Sequence, residues 1–329
     1  MIANQSFKNK DLEIKAMQPK QKYRLVTRSD FDGIVCAVLL EKLDLIDDVL
    51  FVHPNDVQQG LVNISGTDIS TNLPYIPSVY LAFDHHESEV QRIKGSNANH
   101  INDPRAPSAA RVLYEYFGGQ ENFNSVDISL MEAVDKADSA QFTMEEVLNP
   151  QGWVMLNFLI DPRTGLGRFR GFRIPNYEFM MSLIDFISEK TISEILELPD
   201  VKERAEFYLN HKEKFLSQIT RCATVKKNLV ILDLRDEEVI FCGNRFLVYA
   251  LFPDCNISMH ILNGRRGQGV IFAVGKSIFK QNSNTNIGRL MLKYGGGGHI
   301  AAGTCQIDKL KYKAVKSDII ESIHSDEEI

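Results

Sequence analysis

Two aspartates one residue apart mark the first stretch of the sequence that could carry chemistry. Asp30 and Asp32 lie in RSDFDG, directly after the apolar run YRLVT and directly before an apolar helical pattern, with Arg28 two residues earlier. In parallel sheets the ligand site lies beyond the carboxyl ends of the strands, so carboxylates at this point are candidate site residues. Gly33 follows at once and allows a tight turn into the helix.

Further acidic groups and two histidines follow at similar places. Asp84, His85 and His86 close a strand predicted over 78–83, and Asp68 lies shortly before that strand, in GTDISTNLPY. Carboxylates gathered at one point repel each other, and a divalent cation removes the repulsion. Oxygen ligands with one imidazole suit Mn²⁺ or Mg²⁺ better than zinc. A bridging carboxylate such as Asp68 would hold two such ions roughly 3.5–4 Å apart, the separation used for in-line phosphoryl displacement.

The elements that must position these side chains alternate in the first third of the chain. Apolar runs at 23–27, 49–53 and 78–83 predict buried strands, and the patterns at 33–46 and 108–117 predict helices. Such alternation favours a parallel sheet with helices on both faces. A further helix, predicted over 127–138, carries Asp135 and Asp138 on one face.

The second half of the chain predicts a helical connector and then a smaller α/β domain. The stretch from about 176 to 220 is helical in pattern, punctuated by Pro199, and its second part is highly charged, as in a connector between domains. Predicted strands follow it, at 228–234, 238–242, 256–262 and 269–275.

Composition excludes several classes of protein. The chain has 329 residues, of which 44% are hydrophobic and 24% charged, and its net charge of −6 gives no support to a large duplex-DNA surface. No run approaches ~18 consecutive apolar residues, so no membrane partner is expected. The five cysteines form no CxxC pair, which predicts reduced thiols and a cytoplasmic location. The polar start of the chain has no apolar core, which is not typical of a secretory signal.

Two basic or glycine-rich stretches are candidate anion sites. KYGGGGHIAAGT, at 293–304, places a glycine run before His299, and such a run lets backbone N–H groups approach an anion, although alone it is more often a turn. Lys276 is a weaker candidate.

DPRTGLGRFRGFRI, at 161–174, interleaves arginines, Arg168 among them, with phenylalanines, which suits single-stranded nucleic acid. The alternative is a solvated loop whose phenylalanines pack inward.

The order of these motifs resembles a known family. SDFDG, a following aspartate, DHH, a later aspartate on a helix, and GGGGH are similar to the DHH phosphoesterase superfamily with its DHHA1 C-terminal domain, over about 23–307. The layout looks closest to exopolyphosphatase-related and nanoRNase-like members. The resemblance implies an α/β fold: a polar lead-in at 1–22, a parallel-sheet DHH domain at 23–190, a helical connector at 191–222 and a DHHA1 substrate-binding domain at 223–329.

The resemblance also implies roles for individual residues. Asp135 competes with Asp138 for the position of the last metal aspartate, and we interpret Asp135 as a charge on the helix surface. Asp84 would orient a histidine, and His86 would contact the substrate phosphate. The implied metal ligands are Asp30 for a first ion, Asp32 and His85 for a second, Asp68 as the bridge, and Asp138. The implied substrate-binding residues are Gly296, Gly297, Gly298 and His299, with Lys276 and Arg168 as further candidates.

Arg28 departs from the family pattern. Members usually carry His-x-Asp-x-Asp-Gly, and a guanidinium cannot donate a lone pair to a metal. Three interpretations follow: the first metal is weak or absent; Arg28 takes the vacated place and pairs with Asp30 and Asp68, or with a substrate phosphate; or catalysis is lost and the site only binds. For the structure we favour the second interpretation, in which Arg28 takes the vacated place; whether the protein is catalytically active is left open by the sequence.

The sequence therefore predicts a cytoplasmic metal-dependent phosphoesterase in which metal-activated water attacks phosphorus. Expected substrates are polyphosphate or a short single-stranded oligonucleotide first, and a cyclic dinucleotide second. The expected cofactor is Mn²⁺ or Mg²⁺, and a homodimer is left open. The alternative is a catalytically silent nucleotide- or phosphate-binding protein, which Arg28 would explain.

Overall fold

The chain folds into two compact units. The computed structural model describes residues 21–327 apart from 94, 96, 265, 266 and 268. One unit lies within Met1–Ser139 and Asn176–Ile195, the other within Ala140–Pro175 and Leu196–Ile329. The lead-in proposed at 1–22 lies, up to residue 20, outside the described residues. The domain limits at 190 and 222 stay a prediction, and the packing groups residues 140–175 with the second unit.

The first unit is built on a parallel sheet, as the alternating pattern predicted. All neighbouring strands described in it run parallel, in the order β2–β1–β3–β4–β5. The strands are β1 (Tyr23–Arg28), β2 (Ile46–Val52), β3 (Asp68–Thr71), β4 (Leu81–Asp84) and β5 (His100–Asn102).

The described part of the chain also forms thirteen α-helices, divided between the two units. They are α1 (Phe31–Lys42), α2 (Pro54–Gln58), α3 (Glu87–Arg92), α4 (Ala109–Tyr116), α5 (Ile128–Asp138), α6 (Met144–Leu148), α7 (Gly152–Ile160), α8 (Asn176–Glu189), α9 (Ile192–Glu197), α10 (Pro199–Cys222), α11 (Leu247–Leu251), α12 (Ile287–Leu292) and α13 (Tyr312–Glu327). None of the described helices is both long and apolar enough to span a membrane.

The turn from β1 into α1 positions the first carboxylates. Asp30 is the N-cap of α1, where its Oδ1 accepts the N–H of Gly33 at 3.0 Å. A Cβ on Gly33 would lie 2.0 Å from the carbonyl oxygen of Arg28, so only glycine lets the helix pass this close to the strand. Glycine is thus needed at position 33 because the helix and the strand come too close together for a side chain. From Phe31 to Leu40 the helix is buried on all sides, because α4, α5 and α8 pack around it.

The second unit carries a mixed sheet in the order β10–β11–β9–β8–β7–β6, in which only β7 and β8 pair in parallel among the described strands. Its strands are β6 (Ala223–Lys226), β7 (Leu229–Asp233), β8 (Ile257–Asn263), β9 (Val270–Lys276), β10 (Gly297–Gly298) and β11 (Ala302–Ile307). One face forms an apolar core with α12 and α13, to which every second residue of β8, from Ile257 to Ile261, contributes. A mixed α/β protein with a parallel sheet followed by a second, smaller α/β domain was the predicted fold class.

One predicted strand is absent from this sheet. Residues 238–242 form irregular chain, although their apolar pattern is that of a strand. The side chain of Gln218, buried on α10, replaces the strand partner: its Nε2 donates to the carbonyl of Val239 at 2.7 Å, and its Oε1 accepts the N–H of Phe241 at 3.0 Å. These backbone groups are satisfied without a ladder, so the segment does not join the sheet.

Candidate metal centre

The order of the first sheet places a topological switch point at the carboxyl ends of its central strands. The strand order reverses between β1 and β3, and in open α/β sheets ligands bind outside the carboxyl ends of the strands at such a switch point. The residues that follow β1 and β3 are therefore the first place to look for a site.

Three of the predicted ligands meet at this edge of the sheet. Asp32 on α1, His85 after β4 and Asp138 at the end of α5 each offer one ligand atom, and these atoms lie within 4.8 Å of one another. Nε2 of His85 lies 2.9 Å from Oδ2 of Asp138. The sequence separation of Asp32 and Asp138 is bridged because α5 packs against α1.

The first turn of α4 holds the Asp32 carboxylate. The N–H of Ala109 donates to Oδ2 at 3.1 Å, and the N–H of Ala110 donates to Oδ1 at 2.8 Å. These are helix N-terminal donors, which favour a negative charge. Burial, with the charge of Asp138 next, nevertheless raises the pKa of Asp32 well above its usual range. A cation at the cluster would reverse that penalty.

His85 presents one nitrogen to the cluster and the other to the backbone. Its Nδ1 lies 3.2 Å from the carbonyl oxygen of Ala106, which fixes Nδ1 as the donor and turns Nε2 toward Asp138. Burial lowers the pKa of His85, but the hydrogen bond to Asp138 and the charges of Asp138, Asp32 and Asp84 raise it more, to about 9.

The second histidine of DHH is oriented by the aspartate of the same triplet. Nδ1 of His86 lies 2.7 Å from Oδ1 of the buried Asp84. The rings of His85 and His86 meet edge to face, with centroids 4.7 Å apart. Burial lowers the pKa of His86, and the bond to Asp84 raises it more. The roles of Asp84 and His86 in catalysis stay predictions.

The sequence suggested that Asp135 is a charge on the helix surface. In the structure its carboxylate instead connects α5 to α4 through hydrogen bonds. Its Oδ1 accepts from Ser108 Oγ at 2.7 Å, and its Oδ2 accepts from Arg111 Nε at 2.9 Å and Nη2 at 2.6 Å. Ser108 is the N-cap of α4, the helix whose first amides hold Asp32. Asp135 on α5 therefore fixes the donors that position a candidate ligand.

Arg28 pairs with one of the two aspartates that it was predicted to contact. Its Nε lies 2.9 Å from Oδ2 of Asp30. The other predicted partner, Asp68, is paired with Arg24 instead, whose Nε donates to Oδ1 at 2.8 Å.

The structure does not bring Asp68 to the cluster, which corrects its predicted role as a bridging ligand. Asp68 begins β3, in register with Arg24 near the amino end of β1, so it lies at the opposite end of the strands from Asp30. Its remaining oxygen, Oδ2, accepts from the N–H of Ser65 at 2.7 Å. Both oxygens are therefore used in structural contacts, and the carboxylate is buried.

The residue at the carboxyl end of β3 is Asn72. It is buried, adopts a positive φ of 54°, and donates its N–H to the carbonyl of Phe83 at 3.0 Å. Its Nδ2 lies 3.4 Å from Oδ1 of Asp30. A buried non-glycine residue in the left-handed region is held there at a cost, which is common at functional sites.

The glycine run of the second unit is part of a hairpin. Gly297 and Gly298 form β10 and pair with Thr304 and Gly303 of β11. A Cβ on Gly296 would lie 2.0 Å from the carbonyl oxygen of Thr304, whereas one on Gly297 would meet nothing within 4 Å. Close packing thus accounts for Gly296 and also for Gly298, where a Cβ would lie 2.2 Å from the carbonyl oxygen of Ala302. An approach by a ligand at these glycines stays a prediction.

The other candidate substrate-binding residues also lie in the second unit. His299 is exposed in the hairpin turn, with its N–H donating to the carbonyl of Ala302 at 2.7 Å. Lys276 ends β9 and donates from Nζ to the carbonyl of Ser283 at 3.0 Å. Arg168 is exposed. Burial lowers the pKa of His260 to about 4, and the positive charges of Arg245 and Arg168 contribute to the shift. Their binding roles stay predictions.

The phenylalanines between the arginines at 161–174 pack inward. The ring of Phe169 meets those of Phe207 and His211 with centroids 4.9 Å away in each case, and Phe172 meets Phe207 at 5.2 Å. The guanidinium of Arg204 lies 4.6 Å over the ring of Phe172. These rings pack within the second unit. This agrees with the alternative interpretation of the stretch, a solvated loop whose phenylalanines pack inward.

Comparison with solved structures identifies the family. PggH from Vibrio cholerae, a pGpG-specific phosphodiesterase, is 56% identical to this chain, and the match covers 93% of this chain and 100% of PggH with a TM-score of 0.76. The chain belongs to the DHH phosphoesterase superfamily. It is accordingly a DHH-family hydrolase. No family model and no curated protein matches it.

Two more distant structures match most of this chain. RecJ from Thermus thermophilus in complex with Mn²⁺ is 14% identical, with a TM-score of 0.51 over 96% of this chain and 54% of RecJ. An exopolyphosphatase-related protein from Bacteroides fragilis is 13% identical, with a TM-score of 0.48 over 92% of each chain. At 14% identity RecJ shares the fold with this chain.

Sequence reasoning missed Asn72 in this DHH-family chain. The signal was present, because the carboxyl end of a strand next to β1 was the expected place for a site residue. It was hidden because β3 is only four residues long, DIST, and three of the four are polar. The search for an acidic group nearby then selected Asp68, four positions too early.

Proposed function

We propose that this chain is a divalent-cation-dependent phosphodiesterase that hydrolyses a short linear dinucleotide of the pGpG type. The observation that carries the proposal is the 56% identity to a pGpG-specific phosphodiesterase, which extends over 93% of this chain and all of PggH. A linear dinucleotide is a short oligonucleotide, which is one of the substrates that the sequence predicted. The polyphosphate prediction gains no support from the comparisons.

The residues of the cluster fit a divalent cation. Two carboxylates and one imidazole, from Asp32, Asp138 and His85, offer ligand atoms within 4.8 Å of one another, and one of the carboxylates is almost fully buried. Hard oxygen donors with a single nitrogen suit Mn²⁺ or Mg²⁺. When bound, such a cation acts as a Lewis acid that polarises a phosphoryl oxygen and lowers the pKa of water.

The other residues would bind and orient the substrate. His86, held through Nδ1 by Asp84, keeps its ring in one orientation, which suits a contact from Nε2 to a phosphate oxygen. The guanidinium of Arg28 adds a fixed positive charge beside the cluster. An intact set of three ligands and the identity to an active phosphodiesterase do not favour the catalytically silent alternative.

Hydrolysis of defined substrates tests the proposal. Purified protein with Mn²⁺ is given pGpG, a cyclic dinucleotide and polyphosphate in parallel, and products are separated by chromatography. We expect pGpG to be converted to two molecules of GMP, much faster than the other two react. Asp138→Asn should lose this activity, and Asp127→Asn, at the exposed N-cap of the same helix, should keep it. No turnover of pGpG, or faster turnover of polyphosphate, would contradict the proposal.

A further inference from the structure

The residues at the ends of β1 and β3 form a second polar group beside the metal ligands. Asp30 is at its centre: Oδ2 pairs with Arg28 Nε at 2.9 Å, and Oδ1 accepts from Gly33 N at 3.0 Å and lies 3.4 Å from Asn72 Nδ2. Asp30 is the N-cap of α1 and Asp32 lies in the first turn of the same helix, so the group adjoins the cluster.

This group does not fit the first metal ion that the family resemblance implies. A cation there would need a lone pair from position 28, and the guanidinium of Arg28 offers only donors and a positive charge. Position 72, at the switch point, carries a neutral amide and no carboxylate. The remaining ligand, Asp30, has both oxygens engaged, and its charge is already balanced by Arg28.

We infer that this chain holds one divalent cation, at Asp32, His85 and Asp138, and that the Arg28 guanidinium supplies the positive charge at the place of a second ion. Arg28 keeps about a third of its side chain exposed, at 31%, so a phosphate can reach it. The contact to Asp30 uses Nε, and the planar fork of Nη donors suits an oxygen of a phosphate group. Unlike a second ion, this charge is part of the chain and needs no loading.

The inference rests on the proposed function only in that the cluster binds a divalent cation. It concerns the number of ions and the residue that replaces one, so it is measured without substrate. Two bound ions with pGpG hydrolysis intact would overturn the inference and leave the proposed function standing. One bound ion without hydrolysis of pGpG would do the reverse.

Metal counting on the whole chain is the test. Protein stripped with a chelator is titrated with Mn²⁺ by calorimetry, and the loaded protein is examined by electron paramagnetic resonance. We expect a stoichiometry of one and the hyperfine pattern of an isolated Mn²⁺ ion. A stoichiometry of two with a spin-coupled spectrum, or no tight binding at all, would overturn the inference.

A gain-of-metal variant tests the cause. Arg28→His together with Asn72→Asp places a neutral imidazole and a second carboxylate around Asp30, and we expect this double variant to bind two Mn²⁺ ions with spin coupling. Arg105→His, at an exposed arginine paired with Asp103 in the same unit, is the matched control and should bind one. A folded double variant that still binds one ion would show that Arg28 and Asn72 do not exclude the second.

Discussion

At the residue scale, the cluster is built so that a cation must displace protons. Without a cation, burial raises the pKa of Asp32, and the bond to Asp138 helps to raise the pKa of His85 to about 9, so His85 is protonated at pH 7. A ligand imidazole must be neutral. The pairing that stabilises His85 in its charged form therefore competes directly with metal binding.

Binding of Mn²⁺ should consequently release protons. We expect about one to two protons per ion at pH 7, one from His85 and a fraction from Asp32, seen as a calorimetric enthalpy that changes with the ionisation enthalpy of the buffer. The apparent affinity should rise as the pH rises toward 9, because fewer protons remain to be displaced. An affinity that stays constant between pH 6 and 9, with no buffer dependence, would contradict this account of His85.

Arg28 should matter for the rate more than for metal binding. Arg28→Gln removes a charge-assisted donor aimed at phosphate, and we expect kcat for pGpG to fall by about 10²-fold, the usual loss for one such donor. Arg28→Lys should recover part of the rate, since it keeps the charge without the fork. Mn²⁺ should still bind to Arg28→Gln, and an unchanged kcat would show that Arg28 does not act on the substrate.

At the element scale, contacts between helices and strands position the ligands. The first turn of α4 holds Asp32. Helix α5 supplies the candidate ligand Asp138 and also Asp135, which is hydrogen-bonded to the N-cap of α4. The turn into α1 depends on Gly33. Each of these contacts can be weakened without touching a ligand.

Asp135→Asn should loosen α4 and so weaken the cluster. The variant replaces the carboxylate that accepts hydrogen bonds from Ser108 and Arg111 with a neutral amide. The loss of this charge should lower the free energy of unfolding by about 1–3 kcal/mol. Mn²⁺ affinity should fall as well. Glu132→Gln, an exposed change on the same helix, serves as the control in chemical denaturation and calorimetry. Equal behaviour of the two variants would contradict the role of Asp135.

Gly33→Ala should destabilise the first unit. The added methyl would meet the carbonyl of Arg28 at 2.0 Å, so the start of α1 must shift, at a cost of about 2 kcal/mol or more. Gly66→Ala, where the nearest atom is 3.9 Å away, is the matched control and should change the melting temperature little. Equal melting temperatures for both variants would argue against this packing.

The elements with clear periodic patterns were predictable from the sequence, and short polar ones were not. YRLVT and the DHH strand end predicted where Asp32 and His85 lie, because buried parallel strands appear in the sequence as apolar runs. β3 escaped prediction because DIST is short and three of its four residues are polar. Asp68 was therefore taken for a ligand in place of the residue that ends the strand. The strand predicted at 238–242 failed because the side chain of Gln218 satisfies its backbone.

At the scale of the whole molecule, the order of motifs predicted the family and the α/β class, and the comparison with PggH confirmed both. Family-level pattern could not give the local substitutions, since these depend on which side chains meet in space. Arg28 could be seen to depart from the pattern, but its pairing with Asp30 and the neighbouring Asn72 needed coordinates.

The central claim is that acidic groups far apart in the sequence meet to bind one divalent cation. Anomalous diffraction from crystals of the full chain grown with Mn²⁺ tests it most directly. The account predicts a single strong peak coordinated by Asp32, His85 and Asp138, with the Arg28 guanidinium beside Asp30. A cluster without a peak, two peaks around Asp30 and Asp32, or a peak at Asp68 would contradict it.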